Sequence, residues 1–185
     1  MSKSIRSFFS IELPPTAQLT LSKALERWGQ IMLGSFRMVS SENLHLTLKF
    51  LGDIQANRLE PVTQAAERAV TGLQTINLWT GGIQAFPSHK KSRIVFVQVS
   101  GQIERLNLLH HRLEEELFML GFPKDVRRFS PHLTLGRVRK PQVTPIVFNE
   151  SLPSIRWQVN KLTLMESTLG NSESTYTPLS VIYFR

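Results

Sequence analysis

The chain carries one tetrapeptide twice, within LHLTLKFL at 44–51 and within PHLTLGRV at 131–138. Both stretches alternate polar and apolar side chains with a period of two, which is typical of a β-strand with one buried and one open face. In the first stretch this alternation places His45, Thr47 and Lys49 on the polar face. The apolar face then carries Leu44, Leu46, Leu48 and Phe50. We therefore predict two similar strands that each present a histidine and a threonine to one side.

Each of these strands follows a strand pattern and a helix pattern. The first unit begins with the aromatic and branched stretch 5–13 and continues with apolar helical spacings at Ala17, Leu21, Ala24, Leu25 and Trp28. The second unit begins at 94–99 and continues with a leucine stripe over 102–120, the clearest helix pattern of the chain. Other patterns predict a helix over 58–70 and strands over 75–79, 83–86, 155–166 and 179–184.

The spacing within the two units predicts an internal duplication. Phe8 precedes His45 by 45 − 8 = 37 residues, and Val95 precedes His132 by 132 − 95 = 37. Two units packed about an approximate two-fold axis would bring both motif strands to one cleft. Helices would then cover the outer faces of the sheets, within one domain or two small lobes that share a core.

The composition excludes several kinds of site. The 185 residues include no cysteine, so disulfides, thiolate zinc sites and a cysteine nucleophile are excluded. With 41% hydrophobic and 19% charged residues, the composition is typical of a folded domain. The N-terminal stretch lacks a signal-peptide core, and no run approaches the roughly 20 apolar residues of a membrane span. We expect a cytoplasmic protein that neither spans a membrane nor requires a protein partner.

The positive charge is concentrated around the second motif. The chain has a formal charge of +8, and between 124 and 140 six cations stand against one acid, Asp125. Those six are Lys124, Arg127, Arg128, Arg137, Arg139 and Lys140. A clustered positive field favours polyanions such as nucleic acids, but a basic composition is equally compatible with solubility alone.

The two motifs supply two imidazoles and two hydroxyls. With a reference pKa of about 6.5, histidine can accept a proton at one position and donate one at another near neutral pH. Cleavage of a phosphodiester needs both transfers, and each is worth roughly 100- to 10,000-fold. We therefore predict that His45 and His132 form an acid–base pair. A single His-x-Thr would favour a structural histidine, but two identical copies in matched contexts favour catalysis.

Polar neighbours of the histidines suit the binding of a phosphate. The Thr47 and Thr134 hydroxyls can donate to the non-bridging oxygens. Arg137, in the second strand region, can supply a bidentate cation. Phe8 and Phe9 are weighed as stacking residues for a base, but core packing is the favoured interpretation for both. His110 and His111 are neighbours on one helix pattern and do not share a face, which argues against a metal site there.

The sequence resembles the 2H phosphoesterase superfamily, and within it the bacterial and archaeal RNA 2',3'-cyclic phosphodiesterases, also known as 2'-5' RNA ligases. Five stretches carry the resemblance: RSFFSIELP at 6–14, NLHLTLKFLG at 43–52, RIVFVQV at 93–99, FSPHLTLGR at 129–137 and STYTPL at 174–179. It implies a single bilobal α+β domain over 1–185, with two antiparallel sheets lining a central cleft and helices on the outer faces. It also implies hydrolysis of a ribose 2',3'-cyclic phosphate to a 2'-phosphate on oligonucleotide or tRNA-derived RNA ends, with neither a metal nor another cofactor, and a weak reversible 2'-5' ligation.

The resemblance also implies a role for each motif residue. His45 would protonate the departing 3'-oxygen, His132 would activate water, and Thr47, Thr134 and Arg137 would hold the phosphate. The residues themselves leave open which imidazole is the acid. Two other functions also remain open: a noncatalytic module that binds RNA ends, and a related phosphodiesterase for another 2'-5'-linked or cyclic-phosphate nucleotide.

Overall fold

Three α-helices and nine strands make up most of the described part of the protein in this computed structural model, which covers residues 4–31, 36–142, 152, 154–170 and 174–185. The helices are α1 (Pro15–Ile31), α2 (Leu59–Val70) and α3 (Ile103–Met119). The strands are β1 (Ser4–Glu12), β2 (Phe36–Met38), β3 (His45–Gln55), β4 (Ile76–Phe86), β5 (Ser92–Gly101), β6 (His132–Gln142), β7 (Arg156–Val159), β8 (Lys161–Leu169) and β9 (Ser174–Tyr183). The predicted α+β class is confirmed.

Several element boundaries differ from the prediction. The predicted strands 75–79 and 83–86 are one strand, β4, with a register irregularity between Thr80 and Ile83 around its two glycines. The predicted strand 155–166 is divided into β7 and β8. No sequence pattern indicated β2, which is only three residues long. The side chain of Trp28, predicted on the apolar face of α1, lies outside the described residues.

The strands form one antiparallel sheet with a symmetric order. From edge to edge the order is β7-β4-β5-β6-β3-β1-β8-β9, and β2 pairs with β6. Cutting between β6 and β3 gives a first half (β3, β1, β8, β9) and a second half (β6, β5, β4, β7) with equivalent positions. The two predicted sheets are therefore the halves of one sheet, joined in the described ladder by the pair Leu46 and Leu133. This symmetry agrees with the predicted duplication.

A single residue is inserted after the threonine of each motif. Ser10 pairs with Thr47 and Phe9 with Lys49, so Leu48 has no partner in the β1–β3 ladder. Phe96 pairs with Thr134 and Val95 with Gly136, so Leu135 has none in the β5–β6 ladder. An extra residue of this kind is a β-bulge, and it inverts the alternation of side chains beyond it. The bulges stand at the same place in the two halves.

The first bulge corrects the predicted faces of two residues. Lys49, predicted on the polar face, is 3% exposed and points toward α3, while Phe50, predicted in the core, is 68% exposed. The second bulge brings Arg137 onto the face of His132 and Thr134, which an unbroken alternation over five residues would not do. Phe50 and Arg137 are therefore equivalent positions in the two halves.

The ladders also correct the spacing argument. Because Phe9 pairs with Lys49 as Val95 pairs with Gly136, the counterpart of Val95 is Phe9 and not Phe8. The equivalent separations to the motif histidines are 45 − 9 = 36 and 132 − 95 = 37. The equality of the two counts from Phe8 and Val95 was a coincidence, although the duplication that it suggested is present.

The face of the sheet opposite the histidines is covered by the helices. Leu46 and Leu133 are fully buried in a core that also contains residues of all three helices. The predicted stripe of α3 is confirmed, since four of its leucines are fully buried: Leu106, Leu109, Leu113 and Leu117. Burial of one such side chain contributes roughly 1.5–3 kcal/mol, so this layer fixes where the motif strands lie.

Gly136 allows β2 to approach the second motif strand. A Cβ at position 136 would overlap the Phe36 ring and lie 2.6 Å from the carbonyl oxygen of Arg37. We expect Gly136→Ala to lower the free energy of unfolding by roughly 1–3 kcal/mol, because the backbone of β2 would have to move. Urea titration measures this. The control is Gly82→Ala, whose Cβ meets nothing within 4 Å; equal effects of the two substitutions would contradict the steric account.

Candidate active site

His45 is held in one orientation by its own strand. Its Nδ1 donates to the carbonyl oxygen of Asn43 at 2.7 Å, so in the neutral ring Nε2 is the acceptor. Nε2 lies 3.0 Å from the Thr47 hydroxyl, which donates to it. The rings of Phe8 and Tyr176 pack on the imidazole at 5.0 and 5.1 Å between centroids. His45 is therefore a half-buried imidazole whose tautomer and position are fixed.

His132 repeats this arrangement in the second half. Its Nδ1 donates to the carbonyl oxygen of Ser130 at 2.7 Å, again two residues before the histidine. The rings of Phe96 and Phe86 lie edge-on to it, at 5.1 and 5.5 Å. In both halves Nδ1 donates to a backbone carbonyl oxygen, so Nε2 is the ring nitrogen that can exchange a proton with a substrate.

The pairing of the two motif strands brings the four predicted motif residues together. Leu46 and Leu133 are paired and point into the core, so the residues on either side of each leucine point to the opposite face. Because the strands are antiparallel, His45 lies on the side of Thr134, and His132 lies on the side of Thr47. The two imidazoles and two hydroxyls therefore lie on one face of the sheet, on either side of this leucine pair.

Electrostatics indicate that the two histidines are within range of each other. Burial lowers the pKa of His45 most strongly, and the charge of His132 lowers it further. The hydrogen bond to Asn43 and the carboxylate of Glu12 oppose this by raising the pKa. The lowering effects are the stronger, so the neutral form of His45 is favoured.

Two arginines lie beside the second motif, and one of them was not predicted. Arg137 faces the same side as His132 and Thr134, as the bulge requires. Arg37 of β2 is its direct partner in the β2–β6 ladder, and both side chains are exposed. Like charges directly opposite each other destabilise a sheet unless an anion lies between them. No sequence signal pointed to Arg37, because β2 itself was not predicted.

A cavity of about 960 Å³ opens beside Thr47 and His132. Its cations include Arg93, Arg127 and Arg128. The sequence alone favours ordinary surface charges for these arginines, although their neighbourhood also suits contact with phosphate. Three phenylalanines also line it: Phe50, Phe86 and Phe129. Cationic and aromatic walls together suit a nucleotide chain, whose phosphates and bases need both.

The two aromatic residues considered from the sequence, Phe8 and Phe9, do not line this cavity. Phe9 is fully buried in the core, and Phe8 is 2% exposed beneath the His45 ring. Core packing is therefore confirmed for Phe9, whereas Phe8 packs against the rings of His45 and Tyr176 at the site and lies outside the main core. Sequence reasoning missed the three cavity phenylalanines. Phe50 changes face only through the bulge, Phe86 is the last residue of β4, and Phe129 lies in the loop before the second motif.

One cluster has the spacing of a metal site. Within the described ranges, ligand atoms of His110, Glu114 and Asp125 lie within 4.8 Å of one another. The Lys49 ammonium already pairs with both carboxylates of this cluster. Its Nζ lies 2.7 Å from Oε1 of Glu114 and 2.9 Å from Oδ1 of Asp125. It also donates to the carbonyl oxygen of Pro123 at 2.8 Å. The cluster is therefore a buried ion-pair network that ties β3 to the loop before the second motif.

None of the helices in the described ranges is both long and apolar enough to cross a membrane.

The chain is similar to known proteins over most of its length. A family model described as the 2'-5' RNA ligase superfamily matches residues 15–171. An RNA 2',3'-cyclic phosphodiesterase of Escherichia coli K12 is 30% identical over 181 residues, which cover 97% of this chain and 96% of that protein. One of Thermotoga maritima is 27% identical over 181 residues, covering 97% and 91%. The resemblance predicted from the two motifs is confirmed.

Solved structures share the fold. A structure from Thermus thermophilus superimposes with a TM-score of 0.81 at 23% identity and covers 98% of both chains. The structure of E. coli LigT with 3'-AMP gives a TM-score of 0.75 at 24% identity and covers 98% of this chain and 99% of that one. Because these identities are low, the structures support the architecture alone.

The Lys49 network allows a stability test. Lys49 and Glu114 are 3% and 7% exposed, so Lys49→Met would leave a buried carboxylate without its cation. We expect the free energy of unfolding to fall by about 3–5 kcal/mol. The double variant Lys49→Met, Glu114→Leu should recover most of this loss, because it removes both buried charges.

Urea titration of the two variants provides the measurement. Lys124→Met, which removes an exposed pair with Glu115, is the matched control and should change little. A Lys49→Met variant as stable as this control would contradict the buried network.

Proposed function

Because the chain belongs to the 2'-5' RNA ligase superfamily, we propose that it hydrolyses RNA 2',3'-cyclic phosphates to 2'-phosphates, with His45 and His132 as its acid and base. The family and the similar enzymes of known name supply the substrate class. The single observation that supports the mechanism is the antiparallel pairing of the two motif strands at Leu46 and Leu133, which puts each histidine beside the threonine of the other motif on one face. The 2'-5' ligation, as the reverse reaction, remains a prediction.

In the proposed reaction, water attacks the cyclic phosphorus and gives a proton to Nε2 of His132. The bond from phosphorus to the 3'-oxygen breaks, and this oxygen takes a proton from Nε2 of His45. The 2'-oxygen keeps the phosphate. Each imidazole thus acts through the nitrogen that the backbone carbonyl leaves available, and each transfer is worth roughly 100- to 10,000-fold.

The surroundings of the two rings support this division of roles. His132 lies on the wall of the open cavity, where water can reach it. His45 is more enclosed, and burial lowers its pKa. The anionic phosphate opposes this effect on binding, because it favours the protonated form of His45 that can donate.

Phosphate binding uses groups on both halves. Thr47 donates to the neutral imidazole of His45. When His45 carries a proton on Nε2, the hydroxyl is free to donate to a non-bridging oxygen, as Thr134 can. Arg137 and Arg37 supply two guanidinium groups on one face, and a phosphate between them would relieve their repulsion.

RNA is the proposed partner, and the cavity supports it. Its arginines and phenylalanines give a strand both phosphate contacts and stacking surfaces. Catalysis without a metal, a cytoplasmic location and independence of a protein partner remain predictions from the sequence. The same holds for the two alternatives, a module that only binds RNA ends and an enzyme for another small 2'-5'-linked or cyclic-phosphate nucleotide.

Removing either imidazole separates catalysis from binding. We expect His45→Ala and His132→Ala each to lower kcat on a 2',3'-cyclic-phosphate oligoribonucleotide by roughly 100- to 10,000-fold, with little change in affinity, because the rings act in the transition state. Chromatography of the product should find the phosphate on the 2'-hydroxyl. Excess chelator should leave the wild-type rate unchanged.

The control is His111→Ala, an exposed histidine of α3, which should keep full activity. A wild type that binds the oligonucleotide without turnover would support the binding module. Loss of activity in chelator would contradict a reaction without metal.

The two arginines are tested in the same assay. We expect Arg137→Ala and Arg37→Ala each to lower kcat/KM by roughly 10- to 100-fold, since each removes a charge-assisted hydrogen bond to phosphate. Each should also reduce the dependence of binding on salt concentration. Arg105→Ala, on the exposed side of α3, is the control. If Arg37→Ala behaved like this control, Arg37 would lie outside the phosphate site.

A further inference from the structure

The two halves differ at the residue directly opposite each catalytic histidine. In the first half, Glu12 of β1 is the ladder partner of His45. In the second half, Gln98 of β5 is the ladder partner of His132. The two positions are equivalent under the pseudo-two-fold axis, because the bulges lie at the same distance from both. The symmetric frame therefore carries a carboxylate beside one imidazole and a neutral amide beside the other.

Glu12 is held on the cleft side of its strand. Its neighbours Ile11 and Leu13 are buried in the core, so its own side chain projects to the face that carries His45. The Thr163 hydroxyl donates to its Oε2 at 2.9 Å, and the Lys161 ammonium lies 3.4 Å from the same oxygen. Directly opposed residues have Cβ atoms about 4.5–5.5 Å apart, which is within electrostatic range of the ring.

A second difference has the same direction. Arg137, a cation, occupies in the second half the position that Phe50 occupies in the first. At these two equivalent pairs of positions, the half with His45 has an extra negative charge from Glu12. The half with His132 has an extra positive charge from Arg137. A nearby carboxylate favours a protonated imidazole, and a nearby cation favours a neutral one.

Building on the proposed function above, we propose that Glu12 is a positioning residue that stabilises the protonated form of His45, the proposed proton donor. It acts through the imidazole and does not touch the substrate. Its carboxylate stabilises the imidazolium that must exist before the leaving oxygen is protonated. Gln98 at the equivalent position leaves His132 free to act as the base.

Other groups around His45 set the balance in which Glu12 acts. Burial and His132 lower its pKa, whereas the Asn43 carbonyl and Glu12 raise it. Tyr176 of β9 packs against the ring, and Lys161 of β8 moderates the charge of Glu12. In Glu12→Gln the carboxylate is lost and Lys161 keeps its charge, so both changes make His45 harder to protonate.

Two measurements on Glu12→Gln test the proposal together. NMR titration of the ring resonances should show that the pKa of His45 falls relative to the wild type. At pH 7 only the protonated fraction of His45 can donate, so kcat/KM should fall by the same factor as the proton affinity. An interaction of this half-exposed kind is worth about two- to fivefold. Glu12→Asp should restore part of both effects.

Reciprocal and control variants complete the design. Gln98→Glu should favour the protonated form of His132 and lower kcat/KM at pH 7, because a protonated base cannot activate water. Glu60→Gln, an exposed carboxylate of α2, should change neither titration nor rate. Thermal unfolding of each variant identifies any loss of fold.

The outcomes separate this proposal from the proposed function. An unchanged titration of His45 in Glu12→Gln would overturn it. So would a lowered pKa with an unchanged kcat/KM at pH 7, since that is the behaviour of a base. A wild type that fails to hydrolyse cyclic phosphates would contradict the proposed function. The NMR titration of His45 would still show whether Glu12 changes its pKa.

Discussion

The structure depends on one constraint, the pairing of two buried leucines at the centre of the sheet. Leu46 and Leu133 join the halves in the described ladder and are fully buried. Their burial against the helix layer fixes which face of each strand is open. Every polar residue of the two motifs is one position away from a leucine, so the constraint that holds the halves together also orients the site.

Much of this arrangement was predictable from local pattern. The period-two alternation predicted the motif strands, the leucine stripe predicted α3, and the repeated tetrapeptide predicted the two-fold organisation. These features are short-range consequences of burying one face of an element. Because the same pattern appears twice, the sequence also indicated that His45 and His132 belong to one site.

The bulges could not be predicted, because a period-two pattern contains no mark of an inserted residue. In LHLTLKFL the alternation continues unbroken through Lys49 and Phe50, although both lie on the other face. The inversion has chemical consequences in each half. It sends Lys49 beneath the sheet to hold the loop before the second motif, and it brings Arg137 to the cleft. Arg37 was equally invisible, since three residues are too few to form a pattern.

Symmetry in the backbone and asymmetry in the charges together explain how two copies of one motif can have different roles. The strands, the bulges and the hydrogen bonds of both Nδ1 atoms are repeated. The neighbours Glu12 and Gln98, and the equivalent pair Phe50 and Arg137, are not. General acid and general base chemistry needs unlike surroundings in like positions, and these charge differences act in the direction that the proposed roles require.

The most direct measurement is a crystal structure of the protein bound to an oligoribonucleotide that ends in a 2'-phosphate. The account predicts that the Nε2 atoms of His45 and His132 both lie within about 3 Å of oxygens of the terminal nucleotide, on opposite sides of one phosphorus. A phosphate bound by one imidazole alone, or held outside the cleft between the motif strands, would contradict it.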